Sequence, residues 1–244
     1  MTDSNEASVE FAARNRAVFN PLTFSHPVHV IGCGGMGSHI AVALARMGVG
    51  LPQSPIYLHD FDMFEEHNLA NQYMAKDHIG WSKIKAVRRQ LKDIRPDIVV
   101  HTRRGEIDRQ IELSGVVFVC VDSMDARATI METCLEGCKE VECVIETRMD
   151  AGAGISHCFD PNNSRHCDCW WEQCYSDDET DNMTGCSGNL SVISAVWGTA
   201  SLALKQFEAY ARTGTAKRMV NRVYQDFDFP MVRQTVWPTN PYWD

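Results

Sequence analysis

The sequence predicts an α/β fold in which a doubly wound, mostly parallel central sheet carries helices on both faces. Three observations predict it. A β-branched run, "VHVIG" at 28–32, enters a glycine loop and then a segment of helical period. Further short, continuously apolar runs alternate with helical patterns, as strands covered on both faces do. One polar, cysteine-rich stretch near residue 170 interrupts that alternation.

Each element has its own signal along the chain. Residues 1–26 read as an N-terminal arm, with Pro21 ending any helix before it, and residues 27–244 as a single domain. After the first strand, "SHIAVALARMG" spaces Ile40, Ala41, Leu44 and Met47 at helical intervals until Gly48 stops it. "PIYLHDFD" is a second strand and "KIKAVRRQLKDIRP" a basic amphipathic helix closed by Pro96. "DIVVHTRRG" and "GVVFVCVDS" are strands three and four, "DARATIMETCLEGC" a helix, "VECVIET" and "GISHCFD" strands five and six. Residues 160–187 show neither period and are expected to form a functional loop. "LSVISAVWGTASLALKQFEAYA" is apolar around most of its circumference, which predicts a buried helix, and the tail adds a final strand or two.

At 244 residues, one well-buried core is expected. Lys and Arg total 23 against 32 Asp and Glu, a net charge of −9, with no basic cluster to track a phosphate backbone, so nucleic acid is not the expected partner. No export signal and no apolar run of about 20 residues is found, so no membrane partner and a cytoplasmic location are expected. The ten cysteines then point to thiols, a metal or a reactive cysteine rather than disulfides.

Gly32, Gly34 and Gly37 have the G-x-G-x-x-G spacing of a Rossmann-like nucleotide loop. Asp60 lies about 20 residues further on, where an acid at a strand end binds ribose hydroxyls. That pair suits a dehydrogenase as well as an ATP enzyme. A hydride-transfer enzyme has no use for the polar residues beyond it. "DFDMFEEHNLANQ" supplies Asp62, Asn68 and Gln72, the latter two on one face if the segment is helical. Lys83 opens a helix, where an ammonium and free backbone N–H groups both meet phosphates. Asp122 ends an apolar strand at the carboxyl edge and suits Mg²⁺, which takes one or two carboxylates plus phosphate oxygens.

"GCGGMGS", "DFDMFEEHNLANQ", "GWSK" and "VDSMDAR", in this order, resemble the motifs of the ThiF/MoeB/HesA superfamily, which includes the activating enzymes of ubiquitin and ubiquitin-like proteins. The likeness spans roughly residues 14 to 210. It implies ATP and Mg²⁺ at the glycine loop and adenylation of the C-terminal carboxylate of a partner protein or peptide, with release of pyrophosphate. On the matching positions, Gly35 lets the backbone approach the nucleotide, Asp60 holds the ribose, Asn68, Gln72 and Lys83 line the phosphates, and Asp122 holds Mg²⁺. "RNR" in the arm resembles the segment that lends an arginine to the partner subunit's site, which makes Arg16 a phosphate ligand in trans and a homodimer the expected assembly. The family pattern N-L-x-R-Q reads N-L-A-N-Q here, so Asn71 brings a donor but no charge, and phosphate stabilisation is weaker unless Arg14, Arg16 or another cation substitutes; Arg148 is either such a cation or a member of a structural ion pair.

The family's paired C-x-x-C zinc ligands are missing. "HCDCWWEQC" permits a nonstandard zinc site from Cys167, Cys169 and Cys174 with His166 or Cys186. Cys186 stands where the resemblance places a reactive thiol that takes the activated acyl group. The leading expectation is an ATP-dependent adenylyltransferase acting on a ubiquitin-like or sulfur-carrier protein. A catalytically weak binding subunit and an NAD-dependent oxidoreductase are its alternatives.

Overall fold

The computed structural model describes residues 11, 13–14, 16–107, 111–176, 192–216, 219–229 and 231–238. Eight strands form one sheet in the order β3-β2-β1-β4-β5-β6-β7-β8. β1 (Val28–Ile31), β2 (Ile56–His59), β3 (Val100–Arg103), β4 (Gly115–Val119) and β5 (Val141–Met149) run parallel. β6 (Ala153–Phe159), β7 (Arg222–Asp226) and β8 (Met231–Thr235) continue the sheet antiparallel. The change of direction has a local cause. Only Asp150, Ala151 and Gly152 separate β5 from β6, and a return that short cannot carry the crossover that parallel strands need.

Three helices cover one face: α1 (Gly35–Met47), α2 (Lys83–Ile94) and the long α5 (Ile193–Thr213), fifth in chain order. They bury Val28 and Val30 of β1 with Ile40, Leu44, Val87, Leu91, Ala203 and Phe207. α3 (Met124–Ile130), which widens into a π turn over Met131–Leu135, and α4 (Ser164–Trp171) cover the other face against Ile31, Val117, Val119 and Phe159. Phe19 and Phe24, from the segment read as an arm, pack their rings 5.4 Å and 5.3 Å from Phe207.

Two expectations are corrected. The stretch from residue 160 is not loop throughout, since α4 occupies Ser164–Trp171. Asn163 caps it by accepting from the Arg165 and His166 N–H groups, and His166, Cys167, Cys169 and Trp170 supply the buried face. Residues 177–187, the rest of that cysteine-rich region, lie outside the described residues. Second, α5 buries a stripe (Ala195, Val196, Thr199, Ala200, Ala203, Gln206, Phe207, Tyr210) rather than its whole circumference. Trp197 stands 60% exposed on it.

Candidate functional site

The glycine loop is shaped by backbone contact. Gly32 has φ +85°, and a Cβ there would lie 2.8 Å from the Cys120 carbonyl, so only glycine lets β1 turn against the end of β4. A Cβ on Gly37 would strike the Gly32 carbonyl, which ties the first turn of α1 to the strand it follows. Gly34 and Gly35 differ. A Cβ on Gly34 would meet only the Gln72 Nε2 at 3.9 Å, and one on Gly35 would touch the Asn71 carbonyl at an ordinary 3.5 Å. Their side of the loop is open, and Gly34 caps α1 with no side-chain bond to its N–H groups. An uncapped helix start of this kind favours an anion.

Asp60 fixes the loop's position. Its Oδ2 accepts from the Cys33 N–H at 2.6 Å and its Oδ1 from the Asp62 N–H at 2.7 Å. Burial pushes its pKa above the ordinary carboxylate value, and those two donors and Lys83 oppose the rise. Lys83, first residue of α2, holds its Nζ 2.6 Å from Asp62 Oδ2 with only 12% of its side chain exposed. The ammonium is therefore fixed at the rim beside Asp60.

Asn68 and Gln72 do not share a helical face, because the turn containing Asn68 is a 3-10 helix over Glu66–Ala70 that ends before Gln72. The Asn68 Oδ1 accepts the Glu65 N–H at 2.9 Å, and its carbonyl accepts from Asn71 and Gln72, so Asn68 shapes the segment that carries the other two amides. Asn71 Oδ1 and Gln72 Oε1 are buried without a hydrogen-bond partner. Both atoms are acceptors, so each would be satisfied by an N–H or O–H donor and not by a phosphate oxygen.

Asp122 follows β4 at the carboxyl edge, two residues past the Cys120 that Gly32 touches. Its side chain is exposed, while its backbone is held: Ser123 caps α3 by accepting the Ala126 N–H at 3.1 Å, and Arg127 Nη1 donates to the Asp122 carbonyl at 3.2 Å. Behind it lies a buried network that sequence reading missed apart from Arg148. Glu146 sits 2.7 Å from Arg127 Nε, 3.0 Å from Arg148 Nε and 2.7 Å from His157 Nδ1. Despite burial, which alone would raise it, Arg148, His157 and Arg127 hold the Glu146 carboxyl well below the usual range. The available signal was "IET-R", whose two-residue spacing puts Glu146 and Arg148 on one face of a strand. Arg148 is thus committed to Glu146 and to the Gln173 carbonyl at 2.7 Å, rather than to the place of the missing arginine at Asn71.

The proposed zinc ligands do not converge. Cys167 and Cys169 are two positions apart on α4, about 200° around its axis. Cys167 Sγ donates to the Pro161 carbonyl at 3.3 Å and Cys174 Sγ to the Trp170 carbonyl at 3.5 Å. Burial pushes these thiols up to about 12 and about 11. Among the described residues no three His, Cys, Asp or Glu side chains gather to hold a metal. Cys186 lies outside the described residues. Arg16 is exposed in a cleft of about 280 Å³ shared with Tyr210 and Arg212, at the C-terminal end of α5. Gly35 meets that helix at Val196, about 20 Å back along its axis at 1.5 Å per residue.

Fold and site together give an α/β sheet whose glycine loop is flanked by an acid, a lysine and a second acid at the carboxyl edge. Residues 19–235 match the ThiF family, and the chain belongs to it. It is 32% identical over 126 residues to the ubiquitin-like modifier-activating enzyme 5 of Drosophila mojavensis, covering 45% of this chain and 31% of that one. The same enzyme of Culex quinquefasciatus gives the same identity and coverage. The chain thus spans under a third of the length of these curated relatives. Among solved structures, Escherichia coli MccB with ATP superposes with a TM-score of 0.70 at 17% identity, over 97% of this chain and 71% of that one. MccB with MccA gives 0.69 at 17%, over 98% and 71%, and PaaA 0.67 at 19%, over 96% and 72%.

Proposed function

We propose that this chain uses ATP and Mg²⁺ to adenylate the C-terminal carboxylate of a ubiquitin-like or sulfur-carrier protein, or of a peptide, releasing pyrophosphate. The observation that carries this reading is the open Gly34–Gly35 mouth at the uncapped start of α1, with Asp60 and Lys83 at its rim. The family relationship supports it, as do relatives named as modifier-activating enzymes and a fold shared with ATP-complexed MccB.

The N–H groups at the start of α1 would bind phosphate oxygens, Asp60 would take the ribose hydroxyls, and Lys83 would leave Asp62 to share its charge with the phosphates. Asp122, held by its backbone with its carboxylate exposed, fits the one or two carboxylates that Mg²⁺ takes from a protein. Bound there, the ion would neutralise charge on the departing pyrophosphate. No general base is required, because the attacking carboxylate is already ionised; orientation and charge neutralisation do the work. Arg16 is too far along α5 to serve its own site and would serve that of a second copy in a homodimer. Cys186 would displace AMP from the acyl adenylate and hold the acyl group as a thioester. Among the described residues no helix is long and apolar enough to cross a membrane, and a cytoplasmic location remains part of the proposal.

Asn71 favours a second reading, a subunit that binds nucleotide without turnover, since the position that family members fill with a cation is neutral here. Intact-mass spectrometry separates the two. A carrier ending in Gly-Gly should gain one AMP after incubation with enzyme, ATP and Mg²⁺; ATP binding with no adenylated carrier from any candidate would support the second reading.

A further inference from the structure

One guanidinium joins the carboxyl ends of β4 and β5. Arg127 reaches the Asp122 carbonyl with Nη1 at 3.2 Å and the Thr147 carbonyl with Nη2 at 3.0 Å, while its Nε lies 2.7 Å from Glu146 Oε1. The side chain is 8% exposed and the Glu146 side chain 1%. Glu146 is itself immobilised by Arg148 and by His157, whose other ring nitrogen meets Gln173 Oε1 at 3.1 Å. In contrast, the Asp122 carboxylate makes no hydrogen bond or ion pair among the described residues.

We propose that Arg127 is a positioning residue for the reaction: clamped by Glu146, it fixes the β4–α3 turn so that the Asp122 carboxylate stands ready for the divalent cation that accompanies ATP. The inference rests on the functional reading above. Its physical basis is that an exposed carboxylate binds a cation well only when its backbone does not have to be ordered at the moment of binding. Ser123 fixes one side of the turn through its cap. That leaves the Asp122 carbonyl, which Arg127 holds. Lysine could keep a charge opposite Glu146, but a single ammonium cannot present the planar fork that bonds two carbonyls while its charge lies against the carboxylate.

Titrating the full chain with ATP, once with Mg²⁺ and once with EDTA, tests this. The wild type and Asp122→Asn set the scale, because the latter should lose the gain in affinity that Mg²⁺ confers. Arg127→Lys should bind ATP in EDTA within about twofold of the wild type while its Mg²⁺-dependent gain falls about tenfold, the usual effect of removing a group that orients a metal ligand. A merely structural role would move both affinities together. If Arg127→Lys fails to fold, Arg127→Gln takes its place, since Glu146 keeps Arg148 and His157 as partners and is not left a lone buried charge. A full Mg²⁺ gain in a folded variant overturns the inference alone. Failure of the wild type to bind ATP in either condition overturns the functional reading, and this inference with it.

Discussion

Gly37 and Gly34 lie three residues apart in one loop, yet substitution should affect them differently. Alanine at Gly37 drives a methyl into the Gly32 carbonyl, so α1 must move off β1, at a cost of about 1–3 kcal/mol for overpacking. Alanine at Gly34 enters space bounded only by Gln72 and should leave the thermal midpoint nearly unchanged while weakening ATP binding. Thermal unfolding with and without ATP reads both effects. A second prediction concerns the histidine pair behind the site. His29 Nδ1 and His59 Nε2 lie 3.0 Å apart, and burial lowers their pKa values to about 3 and about 4. Both are neutral in the folded chain at pH 6, whereas the unfolded chain takes up protons below about pH 6.5. Their contribution is therefore intact above that pH and is lost as pH falls towards 4, by up to about 1.4 kcal/mol per pH unit for each histidine. Denaturant unfolding from pH 7 to 4.5 should show a steeper decline for the wild type than for His29→Phe combined with His59→Leu.

Much of the fold can be read at the scale of the element, and the exceptions have physical reasons. β1, β2, β4 and the Val141–Ile145 start of β5 announce themselves because a parallel strand buried on both faces is apolar at most positions. α4 does not, because His166, Cys167, Cys169 and Trp170 are broken up by Arg165 and Asp168, so its buried face looks polar in the sequence. Removing its cap with Asn163→Ala should cost about 1 kcal/mol of stability, measurable by denaturant unfolding. α5 misleads in the opposite sense: Val192 before its first turn and Trp197 within it are exposed, so apolar composition overstates burial. In the site, Gly32, Asp60, Lys83 and Asp122 were legible because each sits at a strand end or helix start that periodicity locates. Glu146 and Arg127 were not, since their partnership joins β5 to α3 and has no short-range signature.

For the whole molecule, the separation of Arg16 from the glycine loop along α5 makes assembly part of the proposal. If Arg16 serves a second copy, Arg16→Ala and Asp122→Ala each abolish turnover alone, yet mixing the subunits rebuilds one intact site per mixed dimer, recovering about a quarter of wild-type activity. No recovery would place Arg16 outside the reaction. The central claim is that the glycine loop presents ATP to a carboxylate, with Asp122 at the carboxyl edge of β4 supporting the departing pyrophosphate. ATP–pyrophosphate exchange measures that step alone. It should require both Mg²⁺ and a carrier with a free C-terminal glycine, and should fall at least about a hundredfold in Asp122→Ala. Undiminished exchange in that variant, or ATP binding by the wild type with no exchange for any carrier, would contradict the account.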